Sequence, residues 1–211
     1  MTRVLIIDDH PIVLQGCRRL LQDAGIQDIL EARDVASGYR LYRRHRPDVL
    51  IVDLAIQGSG LGGLALIRRF SLHDPGVRIL VFSMHADPVI VSRALQAGAT
   101  GYVVKDTSSD ELMQAFEKVR AGRPYLSNEL AVEVALAHTQ TRRNPLAELT
   151  PRELQTLALL AEGKPYSRIA AELNVSYKTV VNVSSQLKQK LAVGNLPELI
   201  RTAVQLLPTT A

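Results

Sequence analysis

Five side chains that can bind ions or take part in phosphoryl chemistry follow short apolar runs in this sequence. They are Asp8 and Asp9, Asp53, Ser83 and Lys105. Carboxylates held close together cannot all stay ionised without a compensating charge, so the three aspartates predict a site for a hard divalent cation. Mg²⁺ is the expected ion, because it takes oxygen ligands and keeps several of its waters.

The same residues are able to carry a phosphoryl group. With the cation held by Asp8, Asp9 and Asp53, one carboxylate oxygen of Asp53 remains able to attack a phosphoryl donor in line. The cation and Lys105 would neutralise the transferring oxygens, and the Ser83 hydroxyl would hydrogen-bond to the new group. Each residue alone has a plainer interpretation, as a helix cap, a turn residue or a solvent-exposed lysine. Their shared position after apolar runs favours a site.

Short β-branched runs alternate with amphipathic segments over the first 122 residues. The apolar runs predict strands buried on both faces at residues 4–7, 28–31, 49–52, 79–82 and 102–104. Helical periodicity predicts helices at residues 12–23, 35–44, 61–70, 89–97 and 111–121. Consecutive βα units indicate an α/β fold with a doubly wound, five-stranded parallel sheet. In such sheets ligands bind beyond the carboxyl ends of the strands, where the reactive side chains are expected.

The residues at these strand ends resemble the receiver domain of two-component response regulators, over residues 3–122. The matching motifs are "IIDDH", "IVDLA", "VFSMH" and "GATGYVVKD". The resemblance implies a flavodoxin-like receiver in which Asp53 accepts a phosphoryl group from a sensor histidine kinase. It also implies specific roles at the site: Asp8, Asp9, Asp53 and the Ala55 backbone carbonyl as Mg²⁺ ligands, Lys105 as a phosphate contact, and Ser83 and Tyr102 as switch residues drawn inward on phosphorylation.

Two features depart from the receiver pattern. The loop after the acceptor reads "DLAIQGSGLGGLALI", with Ile56 and Gln57 where the family usually has Met-Pro, and its additional glycines predict a mobile loop. Asp106 follows Lys105 in place of the proline common in receivers, so a cis peptide bond cannot be assumed there.

Residues 123–148 predict a linker, and residues 149–211 predict a small all-α domain of four helices. The linker contains a helix-compatible run, "NELAVEVALAH", and a basic stretch, "TQTRRNP". The domain opens on "LTPREL", in which Thr150 and Glu153 predict a capping box. The runs "SRIAAEL" and "YKTVVNVSSQLKQKL" have the order of a helix-turn-helix, and "LPELIRTAVQLL" predicts the last helix.

An ordinary four-helix bundle would show the same helical spacing. The order of residues across the segment, however, resembles the LuxR-type DNA-binding domain, which implies that the second helix of the motif enters the major groove. The residues expected at DNA are Lys178, Thr179, Val181, Asn182, Ser185, Gln186 and Lys188. Because Val181 and Val183 stand where that family commonly has a basic residue and a histidine, we expect modest affinity and a preference for A·T-rich half-sites.

Composition limits the remaining classes. The net charge of the 211-residue chain is +4, and residues 150–207 carry +3, which is compatible with nucleic acid. No apolar run approaches the length of a membrane span and no signal segment opens the chain, so a cytoplasmic protein without a membrane partner is expected. The single cysteine, Cys17, is expected to pack as a small hydrophobe.

These features predict a transcription regulator, not an enzyme, that binds double-stranded promoter DNA and forms a homodimer when Asp53 is phosphorylated. One alternative keeps the fold but acts without phosphorylation, through protein partners or constitutive dimerisation. Another is a phosphatase with an aspartate nucleophile. It is disfavoured because such enzymes usually carry a second aspartate two residues after the nucleophile, where this chain has Ala55.

Overall fold

The computed structural model of the chain describes residues 2–56, 60–139 and 144–207. The described residues form two compact units, the first of which ends at Val134. Residues 57–59 of the glycine-rich loop and residues 140–143 of the basic stretch lie outside the described ranges. The predictions made for those two segments are therefore not addressed by the structure.

A parallel five-stranded sheet, in the order β2-β1-β3-β4-β5, forms the centre of the first unit. Its strands are β1 (Arg3–Ile7), β2 (Asp28–Ala32), β3 (Val49–Val52), β4 (Arg78–Ser83) and β5 (Gly101–Val104). The helices that alternate with them are α1 (Pro11–Asp23), α2 (Val35–His45), α3 (Gly62–His73), α4 (Pro88–Ala97) and α5 (Ser109–Arg120). The predicted α/β fold with a doubly wound parallel sheet is confirmed.

The strand register places the ends of β1, β3 and β4 side by side. Ile7 pairs with Val52, and Val52 in turn pairs with Val81. Every residue of β3 is buried, as expected for an interior strand of a parallel sheet that is covered on both faces. The residues that directly follow β1 and β3 therefore meet at one edge of the sheet.

The helices bury apolar residues spaced three or four apart. α1 buries Leu14, Cys17 and Leu21, and α5 buries Leu112 and Phe116 among others. Burial raises the pKa of the Cys17 thiol to about 12. The thiol therefore stays protonated at neutral pH, and Cys17 packs as a small hydrophobe, as expected.

The start of α5 lies before the predicted residue 111 because a serine caps the helix. The Ser108 hydroxyl accepts a hydrogen bond from the Glu111 N–H at 3.2 Å. Asp110 and Glu111 lie in the first turn, where negative charge stabilises the helix dipole.

The chain that follows α5 covers the open edge of β5. The Tyr102 N–H donates to the Tyr125 carbonyl at 3.0 Å, and the Tyr125 N–H donates to the Thr100 carbonyl at 3.2 Å. The Tyr125 hydroxyl is also tied to α5, because it donates to Glu111 Oε1 at 2.9 Å. The first residues of the predicted linker thus supply hydrogen-bond partners to backbone groups at the open edge of β5. The helix-compatible run of the linker forms α6 (Asn128–Thr139).

The second unit consists, in its described residues, of helices and short connections. A single 3₁₀ turn (Pro145–Glu148) precedes α7 (Pro151–Ala161), α8 (Tyr166–Glu172), α9 (Tyr177–Lys190) and α10 (Leu196–Leu206). Its core contains Leu154, Leu157, Ile169, Leu187 and Leu199. Within the described ranges, no helix has the length and apolar character needed to cross a membrane.

The predicted capping box at the start of α7 is present. Thr150 Oγ1 accepts from the Glu153 N–H at 3.3 Å, and Glu153 Oε2 accepts from the Thr150 N–H at 2.7 Å. Lys190, the last residue of α9, donates its Nζ to the same carboxylate oxygen at 2.7 Å. Glu153 therefore joins the beginning of α7 to the end of α9.

Candidate functional site

Three aspartates meet where β1 and β3 end. Asp8 and Asp9 follow β1, and Asp53 follows the neighbouring strand β3. One possible ligand atom from each of these residues, and one from His10, lie within 4.8 Å of one another. Asp8 and Asp53 are almost completely buried, at 2% and 3% exposure. We call the three aspartates together with Lys105 the carboxylate site.

Lys105 connects two of the three carboxylates. Its Nζ lies 2.7 Å from Asp8 Oδ2 and 2.8 Å from Asp53 Oδ2. Its backbone is fixed as well, because the Lys105 N–H donates to the Ser83 carbonyl at 2.9 Å. The sequence predicted a lysine beside the acceptor but did not predict the bond to Asp8.

The charges of the site alter one another's protonation. Burial is the strongest influence on Lys105 and would lower its pKa, but the neighbouring charges of Asp53 and Asp8 outweigh it, so the pKa is raised. The pKa of Asp8 is also raised, first by burial and then by the charge of Asp53, against the opposing effect of Lys105. Lys105 therefore stays positively charged at neutral pH and compensates the buried carboxylates.

One oxygen of Asp9 is left for another ligand. Asp9 Oδ1 is buried and has no hydrogen-bond partner among the described residues. The His10 ring nitrogen Nδ1 lies 3.2 Å from it without hydrogen-bond geometry, and is 3.1 Å from Asp8 Oδ1. Buried, unpaired oxygens are uncommon unless an ion or water completes them. Three clustered carboxylates with such an oxygen fit a Mg²⁺ ion, which prefers hard oxygen ligands.

The sequence analysis did not single out His10, although it directly follows the two aspartates in "IIDDH". Its backbone N–H donates to Asp8 Oδ1 at 2.8 Å, and its ring contacts the same oxygen. His10 therefore orients Asp8, whose other oxygen contacts Lys105.

Asp53 is held from two sides. Its Oδ2 contacts Lys105, and its Oδ1 accepts a hydrogen bond from the Ala55 N–H at 3.2 Å. The predicted residue Ala55 thus lies beside the carboxylate through its backbone. This arrangement fixes the plane of the carboxyl group.

The two predicted switch residues lie on adjacent strands and on the same face of the sheet, because Tyr102 pairs with Val81, two residues before Ser83. Ser83 ends β4 and is completely buried, and its hydroxyl has no hydrogen-bond partner among the described residues. Tyr102 of β5 is also completely buried, and its hydroxyl donates to the His85 carbonyl at 2.6 Å. Both side chains are buried in this conformation, and their movement on phosphorylation stays a prediction.

His85, which accepts the hydrogen bond of Tyr102, lies two residues after the end of β4. It is almost buried, and burial lowers the pKa of its imidazole below the ordinary value. The ring is therefore neutral at pH 7, and its backbone carbonyl is the group that holds Tyr102.

The helix-turn-helix of the second unit is formed by α8 and α9. Asn174, in the connection, has a left-handed backbone with φ of 51°, and the Ser176 hydroxyl caps α9 by accepting from the Thr179 N–H at 3.1 Å. One face of α9 is buried against the core of the second unit. Its buried residues are Val180, Val183, Ser184 and Leu187. The opposite face of α9 is open to solvent.

All seven predicted DNA-contacting residues lie on this outward face. Four of them are exposed: Lys178, Asn182, Ser185 and Gln186. The other three are partly exposed: Thr179, Val181 and Lys188. Val183 differs from Val181 because it is buried, so only one of the two valines can face a partner. The Ser185 hydroxyl donates to the Val181 carbonyl of its own helix at 3.1 Å and would have to turn to reach a base.

Tyr177 is a candidate contact that the sequence analysis missed. It opens α9 next to Lys178, it is 57% exposed, and its ring lies 6.0 Å from the ring of Tyr166. Tyr166 is in turn hydrogen-bonded to the buried hydroxyl of Ser184. A large aromatic side chain at the first position of the helix was the available signal.

Comparisons with known proteins match a separate family to each of the two units. The model of the response regulator receiver domain matches residues 4–117, and the model of bacterial regulatory proteins of the luxR family matches residues 147–203. The chain is similar to the methanol utilization control regulatory protein MoxX of Paracoccus denitrificans, with 39% identity over 198 residues, 94% of this chain and 89% of that protein. It is 30% identical to the response regulator UvrY of Escherichia coli (strain K12), over 97% of this chain and 94% of UvrY.

A solved structure extends this similarity to the fold. RcsB from Salmonella enterica serovar Typhimurium, bound to promoter rprA in the presence of the phosphomimetic BeF3-, has a TM-score of 0.72 and 30% identity to this chain. The match covers 96% of this chain and 98% of RcsB. With both family models matched in order and relatives similar over almost their whole length, the chain belongs to the response regulators, DNA-binding transcription regulators that join a receiver domain to a LuxR-type helix-turn-helix domain.

Proposed function

We propose that Asp53 accepts a phosphoryl group from a sensor histidine kinase and that this modification controls binding of promoter DNA. The observation that carries the proposal is the fixed, buried Asp53 carboxylate, with Lys105 on one oxygen and the Ala55 N–H on the other. One Asp53 oxygen attacks phosphorus as the bond from phosphorus to the donor histidine nitrogen breaks. The departing imidazole then takes up a proton.

Lys105 and Ser83 receive the phosphoryl group. Lys105 Nζ already lies 2.8 Å from Asp53 Oδ2 and is able to pair with the oxygens of a group attached there. The Ser83 hydroxyl is buried without a partner among the described residues and can donate to one of the same oxygens. A hydrogen bond that forms only in the modified state would couple Ser83 to the neighbouring strand β5 and to Tyr102.

Mg²⁺ is the proposed cofactor. Asp8, Asp9, Asp53 and the Ala55 carbonyl would hold it, and the unpaired Asp9 Oδ1 is the ligand that supports this assignment. When bound, the ion supplies positive charge against the oxygens of the transferring group.

DNA binding is assigned to the outward face of α9. Lys178 and Lys188 neutralise phosphates, and Asn182 and Gln186 reach base edges, while Val181 offers apolar contact such as that to a thymine methyl. Thr179 and Ser185 complete the face. A homodimer that presents two such helices would read two half-sites of one promoter.

In this proposal residues 1–122 are the receiver, residues 123–148 the linker and residues 149–211 the DNA-binding domain. The matched family models, at residues 4–117 and 147–203, support two domains in this order, and the second model begins two residues before the proposed DNA-binding domain. We place the protein in the cytoplasm, where a bacterial regulator meets promoter DNA.

The test is labelling of the purified chain with Mg²⁺ and a small phosphodonor. Intact-mass measurement should find one acid-stable, base-labile phosphoryl group on the wild type and none on Asp53→Asn. Asp23→Asn is the matched control, because Asp23 is an exposed aspartate on α1 that pairs with Arg19 across the surface. Equal labelling of Asp53→Asn and the wild type would refute the assignment.

A further inference from the structure

The largest concentration of positive charge lies on two helices of the first unit rather than on the DNA-binding domain. Residues 33–46, which include α2, carry five arginines and one aspartate, and residues 62–73, which form α3, carry two arginines and no acidic residue. These segments sum to +6, against +3 for residues 150–207 and +4 for the whole chain. All seven arginines are exposed, and we call them the arginine surface: Arg33, Arg40, Arg43, Arg44, Arg46, Arg68 and Arg69.

Aromatic packing brings the two helices of this surface together. Tyr39 of α2 stacks on Phe70 of α3 with ring centroids 6.2 Å apart, and the Arg69 guanidinium lies 3.6 Å from the centre of the Tyr39 ring. Arg43 is one helical turn beyond Tyr39 on the same side of α2. Arg43 and Arg69 therefore lie on the same side of this pair of helices.

Among the described residues, salt bridges do not neutralise this positive charge. Asp34 caps α2 by accepting from the Ser37 N–H at 2.7 Å, and Asp74, after α3, accepts from the Gly76 N–H at 3.0 Å. In the part of the chain that the structure describes, no salt bridge joins any of the seven arginines to a carboxylate. Like charges one turn apart destabilise a helix, so this arrangement has a cost that an anionic partner would offset.

The chemistry of the surface fits a phosphate polymer. Guanidinium groups bind phosphate oxygens in pairs, and Arg69 keeps its N–H groups available while its face rests on Tyr39. An anionic bilayer would also attract the charge, but interfacial binding needs several apolar side chains beside the basic ones. On α2 and α3 only Leu72 is a strongly exposed large hydrophobic residue among those described.

We propose that the arginine surface binds the phosphate backbone of duplex DNA beyond the half-sites that α9 reads. This inference rests on DNA binding by the second domain. Because both sites belong to one chain, the arginine surface meets flanking DNA at a high effective concentration once α9 is bound. Phosphate contacts carry no sequence information, so they add affinity and salt dependence without changing the selected sequence.

The experiment uses the full chain and two duplexes whose half-sites are selected from random DNA by the wild type. The short duplex ends at the half-sites, and the long one adds flanks of arbitrary sequence. The variant Arg40→Gln, Arg43→Gln, Arg44→Gln should bind the short duplex as the wild type does. On the long duplex its affinity should be weaker, and its log–log salt slope should fall by about 0.9 for each phosphate that the variant no longer neutralises.

The control variant removes the same charge elsewhere in the first unit: Arg19→Gln, Arg120→Gln, Arg123→Gln. It should match the wild type on both duplexes. The inference is overturned if both variants lose the same affinity for the long duplex, because the effect would then come from net charge. It is equally overturned if neither variant loses affinity for the long duplex. It is also overturned if the arginine surface is needed only for sedimentation with phosphatidylglycerol vesicles. A wild type that selects no sequence would instead refute the DNA-binding assignment.

Discussion

The carboxylate site and the outward face of α9 differ in how their charged groups are satisfied. In the carboxylate site, Lys105 contacts Asp8 and Asp53 at 2.7 and 2.8 Å, and these side chains are nearly excluded from water. On α9, the exposed Lys178 and partly exposed Lys188 make no salt bridge within the described residues, and the polar groups between them face solvent.

This difference fits the two roles that we propose for these regions. A site that carries out chemistry must hold its charges in place before the substrate arrives, so its residues contact one another. A recognition face obtains its contacts from the partner. Substitutions in the carboxylate site should therefore change the free protein, whereas substitutions on the outward face of α9 should change only the complex with DNA.

The largest effect should follow Lys105→Ala. Removing the lysine leaves two buried carboxylates without their positive partner, which costs up to about 3–5 kcal/mol of unfolding free energy. The loss is smaller where Asp8 takes up a proton, because its pKa is already raised. The measurement is urea unfolding without divalent ions, with the transition of the first unit identified by hydrogen exchange of β1 and β3.

The matched control is Arg19→Ala. Arg19 pairs with Asp23 at 3.5 Å across the exposed surface of α1, and such pairs contribute about 0.3–0.5 kcal/mol. If Lys105→Ala lowers the unfolding free energy no more than Arg19→Ala does, Lys105 does not compensate buried, ionised carboxylates as we infer.

The next effect concerns the cation. Asp9→Ala removes the oxygen that has no hydrogen-bond partner among the described residues, and Mg²⁺ affinity should fall at least about tenfold, since even indirect partners of metal ligands are worth ~10–100-fold. Calorimetric titration with Mg²⁺ measures this, with Asp23→Ala as control. Unchanged affinity in the Asp9 variant would mean that the ion binds elsewhere.

The recognition face is tested by a pair of neighbouring valines. Val181→Lys places a basic group on the outward face, so it should tighten binding and shift one position per half-site towards G·C by roughly 1–3 kcal/mol. Val183→Lys buries the same group in the core, so it should lower the thermal stability of the second unit instead. Binding-site selection and thermal unfolding distinguish the two results. Identical selected sequences for Val181→Lys and the wild type would contradict the placement of α9.

The smallest effect lies outside both regions, at the capping box of α7. Burial would raise the pKa of Glu153, but hydrogen bonds from Lys190 and Thr150 outweigh it and the pKa is lowered. The ionised carboxylate therefore stabilises the fold above its unfolded pKa of about 4.3, and this contribution is lost as the pH falls through the folded value. Glu153→Gln should cost ~1 kcal/mol at neutral pH and less in acid. An equal loss in urea unfolding at both pH values would show that charge is not the cause.

The sequence predicted the parts of the fold that depend on local periodicity. Alternating apolar runs located β1 to β5 and the helices between them, and the "LTPREL" motif located the capping box of α7. The pairing of Tyr125 with β5 was missed because one tyrosine after a turn carries no strand pattern, and its bridge partner, Gly101, lies far earlier in the chain.

The carboxylate site shows the same limit. Strand ends in sequence indicated that Asp8, Asp53 and Lys105 converge, because parallel strands present their carboxyl ends at one edge. They did not indicate that Lys105 would bridge both aspartates or that an oxygen of Asp9 would have no hydrogen-bond partner among the described residues, since both depend on side-chain packing. The separate environments of Val181 and Val183 likewise required the orientation of α9 about its axis.

The coupling of the two regions is tested most directly by the affinity of the full chain for a selected promoter duplex, measured by fluorescence anisotropy with Mg²⁺, with and without beryllofluoride. If phosphorylation of Asp53 controls DNA binding, beryllofluoride should tighten binding by the wild type by about 5–150-fold, the usual range of coupling between two sites. Asp53→Asn should bind the duplex equally in both conditions. A wild type whose affinity does not change, or an Asp53→Asn variant that responds as strongly as the wild type, would contradict control of DNA binding through Asp53.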